Sequence, residues 1–173
     1  MWRNDGMTMT EVLATLALAL LVTGIGVPAF RSVVADARLT AAVNDLITSV
    51  HLARSTAIRR NDQVVICPAG STPCGADAQW QKGWVIFVNR DRLRPPRLDD
   101  DEPVIQRHGP LSQLELSSNR NFYAFHRIGL RSTNGTLTLC DRRGAARARA
   151  VIVSYTGRPR AARSRADGSE LVC

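Results

Sequence analysis

The chain has 173 residues, of which 45% are apolar and 22% charged, a composition that excludes a wholly disordered chain and suits one globular domain with an appendage. The formal charge is +8. Residues 1–119 hold 12 basic and 12 acidic side chains, whereas residues 120–173 hold 11 arginines and three acids, so the whole excess lies in the last third. Such a segment can attract phosphate or an acidic partner. A GC-rich coding sequence accounts for the composition equally well, since arginine outnumbers lysine by 22 to 1.

The N-terminal region contains a long apolar segment. Residues 12–30 carry no charge, and the 24 residues from Met7 to Phe30 carry one, on Glu11. This is long enough to cross a bilayer as a helix and too long for the apolar part of an ordinary secretory signal. The arginines that follow it would, by charge alone, place the next part of the chain in the cytoplasm.

Glu11 is the unusual residue of this segment, because a carboxylate near the end of a membrane helix costs a few kcal/mol and therefore indicates a function unless it lies hydrated at the interface. Gly6 followed by residues 7–11 (MTMTE) and an apolar helix resembles the leader of type IV pilins and type II secretion pseudopilins. The usual residue after the cleavage site is Phe, where this chain has Met7, and Thr10 stands where an apolar residue is common.

This resemblance implies cleavage by a prepilin peptidase between Gly6 and Met7, followed by methylation of Met7. It also implies that Glu11 neutralises the N-terminal amine of a neighbouring subunit in a filament, and two such charges compensate each other when paired. In this family the leader stays in the cytoplasm and the rest of the chain is exported, which resolves the conflict over orientation. A proline near position 28 is common in the family, and Pro28 should kink the helix.

The remaining chain is predicted to be α+β, with a long N-terminal helix packed on antiparallel β-sheet. Apolar residues recur at three- and four-residue steps from Leu39 to Ala57 and indicate an amphipathic helix that ends near Asn61 and Asp62. Asn134-Gly135 indicates a hairpin turn. The β-rich runs are 63–67, 83–88, 103–106, 113–116, 122–125, 136–140 and 150–155. The predicted divisions are a leader (1–6), a membrane and filament-core helix (7–30), its amphipathic continuation (31–61) and a periplasmic domain (62–173).

A second resemblance covers most of this domain. Segments 67–74 (CPAGSTPC), 80–88 (WQKGWVIFV), 135–141 (GTLTLCD) and 151–158 (VIVSYTGR) are similar to the GspH/FimT group of minor pilins and pseudopilins. Trp80, Trp84 and Phe87 are expected in the core, as aromatic strand residues usually are.

DNA-binding members of the FimT type carry a G-R-x-R motif in a C-terminal loop. The motif corresponds here to Gly157, Arg158 and Arg160, so the resemblance implies that these arginines bind phosphates of double-stranded DNA. Arg163 and Arg165 are further candidates by proximity. The alternative is that the arginines pair with an acidic run, residues 99–102 (DDDE), as in relatives that only build the filament.

Four cysteines, Cys67, Cys74, Cys140 and Cys173, lack the spacing of a zinc site. In an exported domain they indicate two disulfide bonds. Three pairings are possible, and Cys67–Cys74 with Cys140–Cys173 is favoured, since the first closes a short loop and the second ties down the C-terminus.

The sequence contains no recognisable catalytic motif, so we expect no enzyme and no cofactor. The acidic run lacks the spacing of a calcium loop and is predicted to be a solvated turn that pairs with Arg90, Arg92, Arg94 or Arg97.

The resulting hypothesis is a minor pilin, held in the inner membrane with its C-terminal domain in the periplasm and then assembled with other pilins. It would support pilus assembly and capture DNA for natural transformation. The alternative is a type II secretion pseudopilin that acts in protein export.

Overall fold

The computed structural model of the chain describes residues 6–70, 74–76, 79–126 and 131–173, so the predicted leader, apart from Gly6, lies outside the described residues. One long helix, α1, precedes all the strands. The chain divides into two compact units, one up to Arg38 and one from Leu39 to Cys173. The elements are α1 (Met9–Arg60), β1 (Val64–Pro68), β2 (Trp84–Val88), β3 (Val104–His108), β4 (Glu115–Ser118), β5 (Tyr123–Phe125), β6 (Gly135–Cys140), β7 (Arg149–Val153) and β8 (Pro159–Ala162).

The first unit is the apolar part of α1. It contains an 18-residue window with a mean hydropathy of 2.2, none of which is buried, so by length and composition this helix can cross a membrane. The helix remains continuous through Pro28, and the predicted kink stays a prediction. At its start, the backbone N–H and the hydroxyl of Thr8 both donate to Glu11 Oε2 at 2.9 Å, and Glu11 N–H donates to Thr8 Oγ1 at 3.3 Å. This reciprocal pair is a capping box.

The second unit begins with the amphipathic part of α1. The predicted apolar positions from Leu39 to Ala57 are buried at three- and four-residue spacing, which places them along one face of the helix. The helix ends as predicted, because Asn61 has a φ of 54° and Asp62 N–H donates to Ala57 O at 3.2 Å. That geometry is a Schellman termination, in which the residue after the helix adopts the left-handed conformation.

Two four-stranded antiparallel sheets complete the second unit, with strand orders β3-β2-β1-β5 and β4-β6-β7-β8. One face of each sheet shares a single apolar core with the buried face of α1, so the predicted α+β architecture is confirmed. Strands β1 and β2 are buried on both faces. Trp80, Trp84 and Phe87 lie in the core as predicted, each at most 1% exposed.

Both favoured disulfide bonds are present. Cys67 is bonded to Cys74 and Cys140 to Cys173, with Cα–Cα distances of 5.5 and 5.8 Å. The second bond ties the C-terminal tail to the end of β6. Leu171 of this tail is also buried, at 4% exposed, and packs with Cys140 and Ala150. Ala150 lies on the face of the second sheet that points away from α1, since Val151 is in the central core. The tail therefore covers part of the outer face.

The hairpin turn predicted at Asn134-Gly135 is wrong. The strand before it, β5, lies in the first sheet, and β6 lies in the second. A two-residue hairpin of this type needs positive φ at both turn residues, and neither has it. Gly135 begins β6 instead. An added Cβ there would lie 2.7 Å from the side chain of Arg120 and 2.8 Å from the hydroxyl of Tyr123, so glycine is required by close packing.

Candidate nucleic-acid interface

The predicted arginine motif begins in the turn between β7 and β8. Gly157 N–H donates to Ser154 O at 2.8 Å, and Ser154 N–H donates to Arg158 O at 3.0 Å. The hydroxyl of Ser154 accepts a further bond from Arg158 N–H at 3.2 Å. Gly157 has a φ of 72°, which glycine adopts without the strain that a side chain would add. The backbone of Arg158 is therefore held on both sides by one serine.

Contacts with the core hold this turn in place. Gly157 is buried, and a Cβ added to it would lie 3.0 Å from Phe125 Cδ1 and from Ser132 Oγ. On the side facing α1, Arg54 Nε donates to Thr156 O at 2.9 Å. The glycine of the motif thus serves two physical needs, a left-handed backbone and a close approach to the core, and the turn becomes a rigid base for the arginines.

The arginine motif lies only partly in the predicted loop, because Arg158 precedes a strand and Arg160 lies within it. Pro159–Ala162 forms β8 at the edge of the second sheet, where Arg160 lies opposite Ile152 and Ala162 opposite Ala150. Proline is tolerated as the first residue of an edge strand because its missing N–H removes no bond from the sheet interior. The residues of β8 have no alternating apolar pattern, and β7 supplies their pairing. For that reason the local sequence did not predict the strand.

Arg158 precedes both β8 and a proline, which favours an extended backbone at this position. Two residues apart in such a chain, the Cα atoms of Arg158 and Arg160 lie about 6.6 Å from each other and the side chains face the same side. Both are exposed. Within the described residues, neither has an acidic group within 4.0 Å, and neither does Arg163 or Arg165. Two guanidinium groups are thus presented to solvent from a fixed backbone.

Two residues of the acidic run have other partners, and within the described residues no carboxylate of the run lies within 4.0 Å of the arginines of the motif, as the alternative interpretation required. Arg97 Nε lies 3.3 Å from Asp99 Oδ1, and Arg90 N–H donates to Glu102 Oε1 at 2.7 Å. Glu102 is 6% exposed, and burial is the main reason that its carboxyl pKa is raised. The predicted partnership is confirmed for Arg97, whereas Arg90 binds Glu102 through its backbone N–H and the prediction of a solvated turn is wrong at the buried Glu102.

Arg163 and Arg165 lie beyond the end of β8, and both are exposed. Arg165 belongs to a separate turn, in which its N–H donates to Ser169 O at 2.8 Å. It lines a polar groove of about 410 Å³ on the outer face of the second sheet, together with Ser117, Thr136 and Thr138. The structure therefore groups Arg158 with Arg160 and gives Arg165 different surroundings.

The family described as Type II transport protein GspH matches residues 42–157, which include the core of the second unit and the glycine of the arginine motif. The chain belongs to the GspH family. Two crystal structures of the type IV minor pilin FimU from Pseudomonas aeruginosa PAO1 have a similar fold. The match to one of them has 20% sequence identity and a TM-score of 0.53, and it covers 70% of this chain and 86% of the FimU chain. The match to the other has 19% identity and a TM-score of 0.54, and it covers 72% of this chain and 92% of the FimU chain. A comparison of the sequence with curated proteins found no match.

Membership of the GspH family places the chain among minor pilins and pseudopilins, and the family implies assembly with other pilins in a filament. The apolar part of α1 is consistent with the membrane anchor of such a protein. The similarity to FimU supports the pilin fold of a long helix on antiparallel sheets.

Sequence reasoning missed three residues beside the motif of this GspH-family domain. Arg54 clamps the turn, as described above. Tyr155 was predicted to end a strand, but β7 stops at Val153 and Tyr155 lies in the turn with 57% of its surface exposed. The guanidinium carbon of Arg131 lies 5.5 Å from the centre of the Tyr155 ring. No periodicity in the sequence signals this pair, because the two residues meet only through folding.

Proposed function

We propose that this GspH-family protein is a minor type IV pilin that supports filament assembly and binds DNA through Arg158 and Arg160, without catalysing a reaction. The observation that carries the proposal is the position of these two exposed arginines. Arg158 directly precedes an edge strand, and Ser154 fixes its backbone. Arg160 lies within that strand, paired with Ile152. Asp99 and Glu102 of the acidic turn bind Arg97 and the backbone N–H of Arg90 instead.

The chemistry of guanidinium suits phosphate. It remains charged at all physiological pH values and offers planar, bidentate donors to phosphate oxygens. Two long side chains whose Cα atoms lie about 6.6 Å apart can reach two successive phosphates of one strand. The neighbouring arginines of the C-terminal third raise the local positive potential, which draws a polyanion toward the site.

Processing at the N-terminus forms the second part of the proposal. A prepilin peptidase would cut between Gly6 and Met7, and Met7 would then be methylated at its amine. Before assembly, residues 7–30 would anchor the chain in the inner membrane with the second unit in the periplasm. Mass spectrometry of the protein from membranes should show loss of residues 1–6 and one added methyl group. An intact leader would contradict this part of the proposal.

DNA binding is tested with the full chain in detergent micelles, by gel shift of double-stranded DNA across a salt series. We expect binding that weakens steeply with salt, because phosphate contacts release counterions. The variant Arg158→Ala/Arg160→Ala should lose most of it. A matched control is Arg142→Ala/Arg147→Ala, which removes the same charge from exposed positions at the opposite end of β7 and should retain most binding. Equal losses in both variants would mean that binding depends only on net charge. Absence of binding to both double-stranded and single-stranded DNA at low salt would remove DNA from the proposal.

A second candidate function is that of a type II secretion pseudopilin, which would act in protein export. The description of the matching family, Type II transport protein GspH, favours it. Deletion of the gene in its own organism separates the two. Loss of pili with normal export supports the minor pilin, whereas loss of export with normal pili supports the pseudopilin.

A further inference from the structure

Tyr155 stands apart from the other aromatic residues of the second unit. Trp80, Trp84, Phe87, Tyr123 and Phe125 are all buried there, and Phe122 is half-buried. Among the described residues from Leu39 onward, Tyr155 is the one exposed Phe, Trp or Tyr side chain, at 57%. A single exposed apolar residue is common on protein surfaces, so the groups around Tyr155 decide what the ring can bind.

The backbone under this ring is fixed from two directions. Ser132 N–H donates to Tyr155 O at 2.9 Å, and the next carbonyl along the chain, that of Thr156, accepts from Arg54 at 2.9 Å. A ring on a fixed backbone loses little conformational freedom when it binds, which favours its use as a contact surface.

The charges around the ring are positive. The guanidinium of Arg131 lies 5.5 Å from the ring centre, a cation–π distance. Arg158 follows three residues later in the same hydrogen-bonded turn. An exposed aromatic ring beside guanidinium groups is the combination with which proteins hold single-stranded nucleic acid, the ring stacking on a base and the cations holding the backbone.

We propose that Tyr155 is a stacking platform for an unpaired base of the DNA whose phosphates Arg158 and Arg160 bind. This inference rests on the proposed function and names its substrate class, which is single-stranded DNA or the open end of a duplex. In an intact duplex the bases are stacked on one another and offer no free face to the ring. Tyr155 therefore confers a preference for unpaired DNA. The two arginines alone do not confer it, because they contact only phosphates.

The test distinguishes binding to DNA bases from binding to DNA phosphates. The full chain in detergent is titrated with fluorescently labelled oligothymidine and with an abasic oligomer of the same length and charge, and binding is followed by anisotropy. The wild type should bind the thymine oligomer roughly tenfold more tightly, which is the usual scale for one base stacked on an aromatic residue. Tyr155→Leu should bind both oligomers equally, and Tyr155→Phe should keep the preference because it keeps the ring. Thermal unfolding of each variant checks that the exposed substitution leaves the fold intact.

Each outcome has a distinct meaning. Arg158→Ala/Arg160→Ala should weaken binding to both oligomers by similar factors, since both carry the same phosphates. Equal wild-type affinity for the two oligomers, or a preference for duplex over single strand, would overturn the stacking proposal and leave the DNA-binding proposal standing. Absence of wild-type binding to either oligomer and to duplex DNA would overturn both.

Discussion

The indole Nε1 of Trp84 donates a hydrogen bond to Oγ of Ser49 at 2.9 Å, and both residues are almost completely buried. This bond joins the first residue of β2 to the buried face of α1, whose other buried positions are mainly apolar. It gives the helix a fixed position along the sheet, because a hydrogen bond is directional and an apolar contact is not.

Replacement of Ser49 tests the energetic importance of that bond. Ser49→Ala leaves the Trp84 N–H buried without an acceptor, so we expect the free energy of unfolding to fall by about 1–3 kcal/mol. Chemical unfolding of the full chain in detergent measures it. Ser55→Ala is the matched control, since Ser55 is an exposed serine of the same helix and its loss should cost less than about 0.5 kcal/mol. Equal effects of the two substitutions would show that the buried bond is energetically unimportant.

Gly157→Ala should destabilise the domain and weaken DNA binding together. A side chain at a φ of 72° costs about 1–3 kcal/mol, and the added Cβ would also meet Phe125 at 3.0 Å. Gly168→Ala isolates the backbone cost, because Gly168 has a φ of 86° in a turn with the same hydrogen-bond pattern, but nothing lies within 4 Å of an added Cβ. We expect the larger fall in Tm for Gly157→Ala, and similar Tm values for both variants would argue against crowding by the core.

The two disulfide bonds should contribute unequally to stability. In the chain-entropy treatment, closing the loop with a sequence separation of 7 stabilises by about 2 kcal/mol and closing the one with a separation of 33 by about 4 kcal/mol. The Cys140→Ser/Cys173→Ser variant should therefore unfold at lower denaturant than Cys67→Ser/Cys74→Ser. Alkylation of the unreduced wild type should label no cysteine. A labelled thiol, or the opposite order of stability, would contradict this account.

Asp141 should make stability depend on pH. Arg143 Nη2 lies 2.6 Å from its Oδ2, and Arg143 Nε donates to the same oxygen at 2.9 Å. These hydrogen bonds are the main cause of the lowered pKa of the Asp141 carboxyl. A carboxyl with a lowered folded-state pKa stabilises the fold fully above its unfolded pKa of about 4, and that contribution is lost as the pH falls through the lower folded value.

Asp141→Asn should consequently lower stability at pH 7, with a deficit that shrinks toward pH 3. Urea unfolding at both pH values measures it. Asp99→Asn removes a more exposed ion pair, with Arg97, and should change stability little at either pH. A deficit for Asp141→Asn that is independent of pH would mean that the ion pair is not its cause.

Glu11→Ala should leave the protein in the membrane and reduce its entry into filaments. Glu11 caps its own helix through Thr8 in the isolated chain, and in a filament its carboxylate would compensate the amine of a neighbour. The ratio of protein in sheared filaments to protein in membranes is the measurement. Thr10→Ala, one position earlier, should keep the normal ratio. Normal filament entry of Glu11→Ala would remove Glu11 from assembly.

Much of the architecture could be predicted from local patterns. The buried positions from Leu39 to Ala57 follow from helical periodicity, and the end of α1 at Asn61 follows from a residue type that tolerates positive φ. The β-rich runs and the four cysteines follow from composition and spacing. These features depend on neighbours in sequence, and for that reason one sequence was enough to predict them.

The arginine site was predicted only in part. A family resemblance pointed to Arg158 and Arg160. The sequence did not predict that Arg160 lies on an edge strand and Arg158 directly before it, because Pro159–Ala162 pairs with β7 through contacts that the segment itself does not encode. The hairpin predicted at Asn134-Gly135 was also wrong because of strand pairing, since the neighbouring strands β5 and β6 lie in different sheets.

By itself, the sequence determined a membrane-compatible helix with one carboxylate, an α+β domain with two disulfides, and an arginine-rich C-terminal third. Only the tertiary structure decided which of those arginines share a surface and which residues support them. Arg54 reaches a carbonyl 102 residues away at Thr156, and Arg131 meets Tyr155 across two separate segments. Such contacts depend on how the sheets and α1 pack together, which no local pattern of residues specifies.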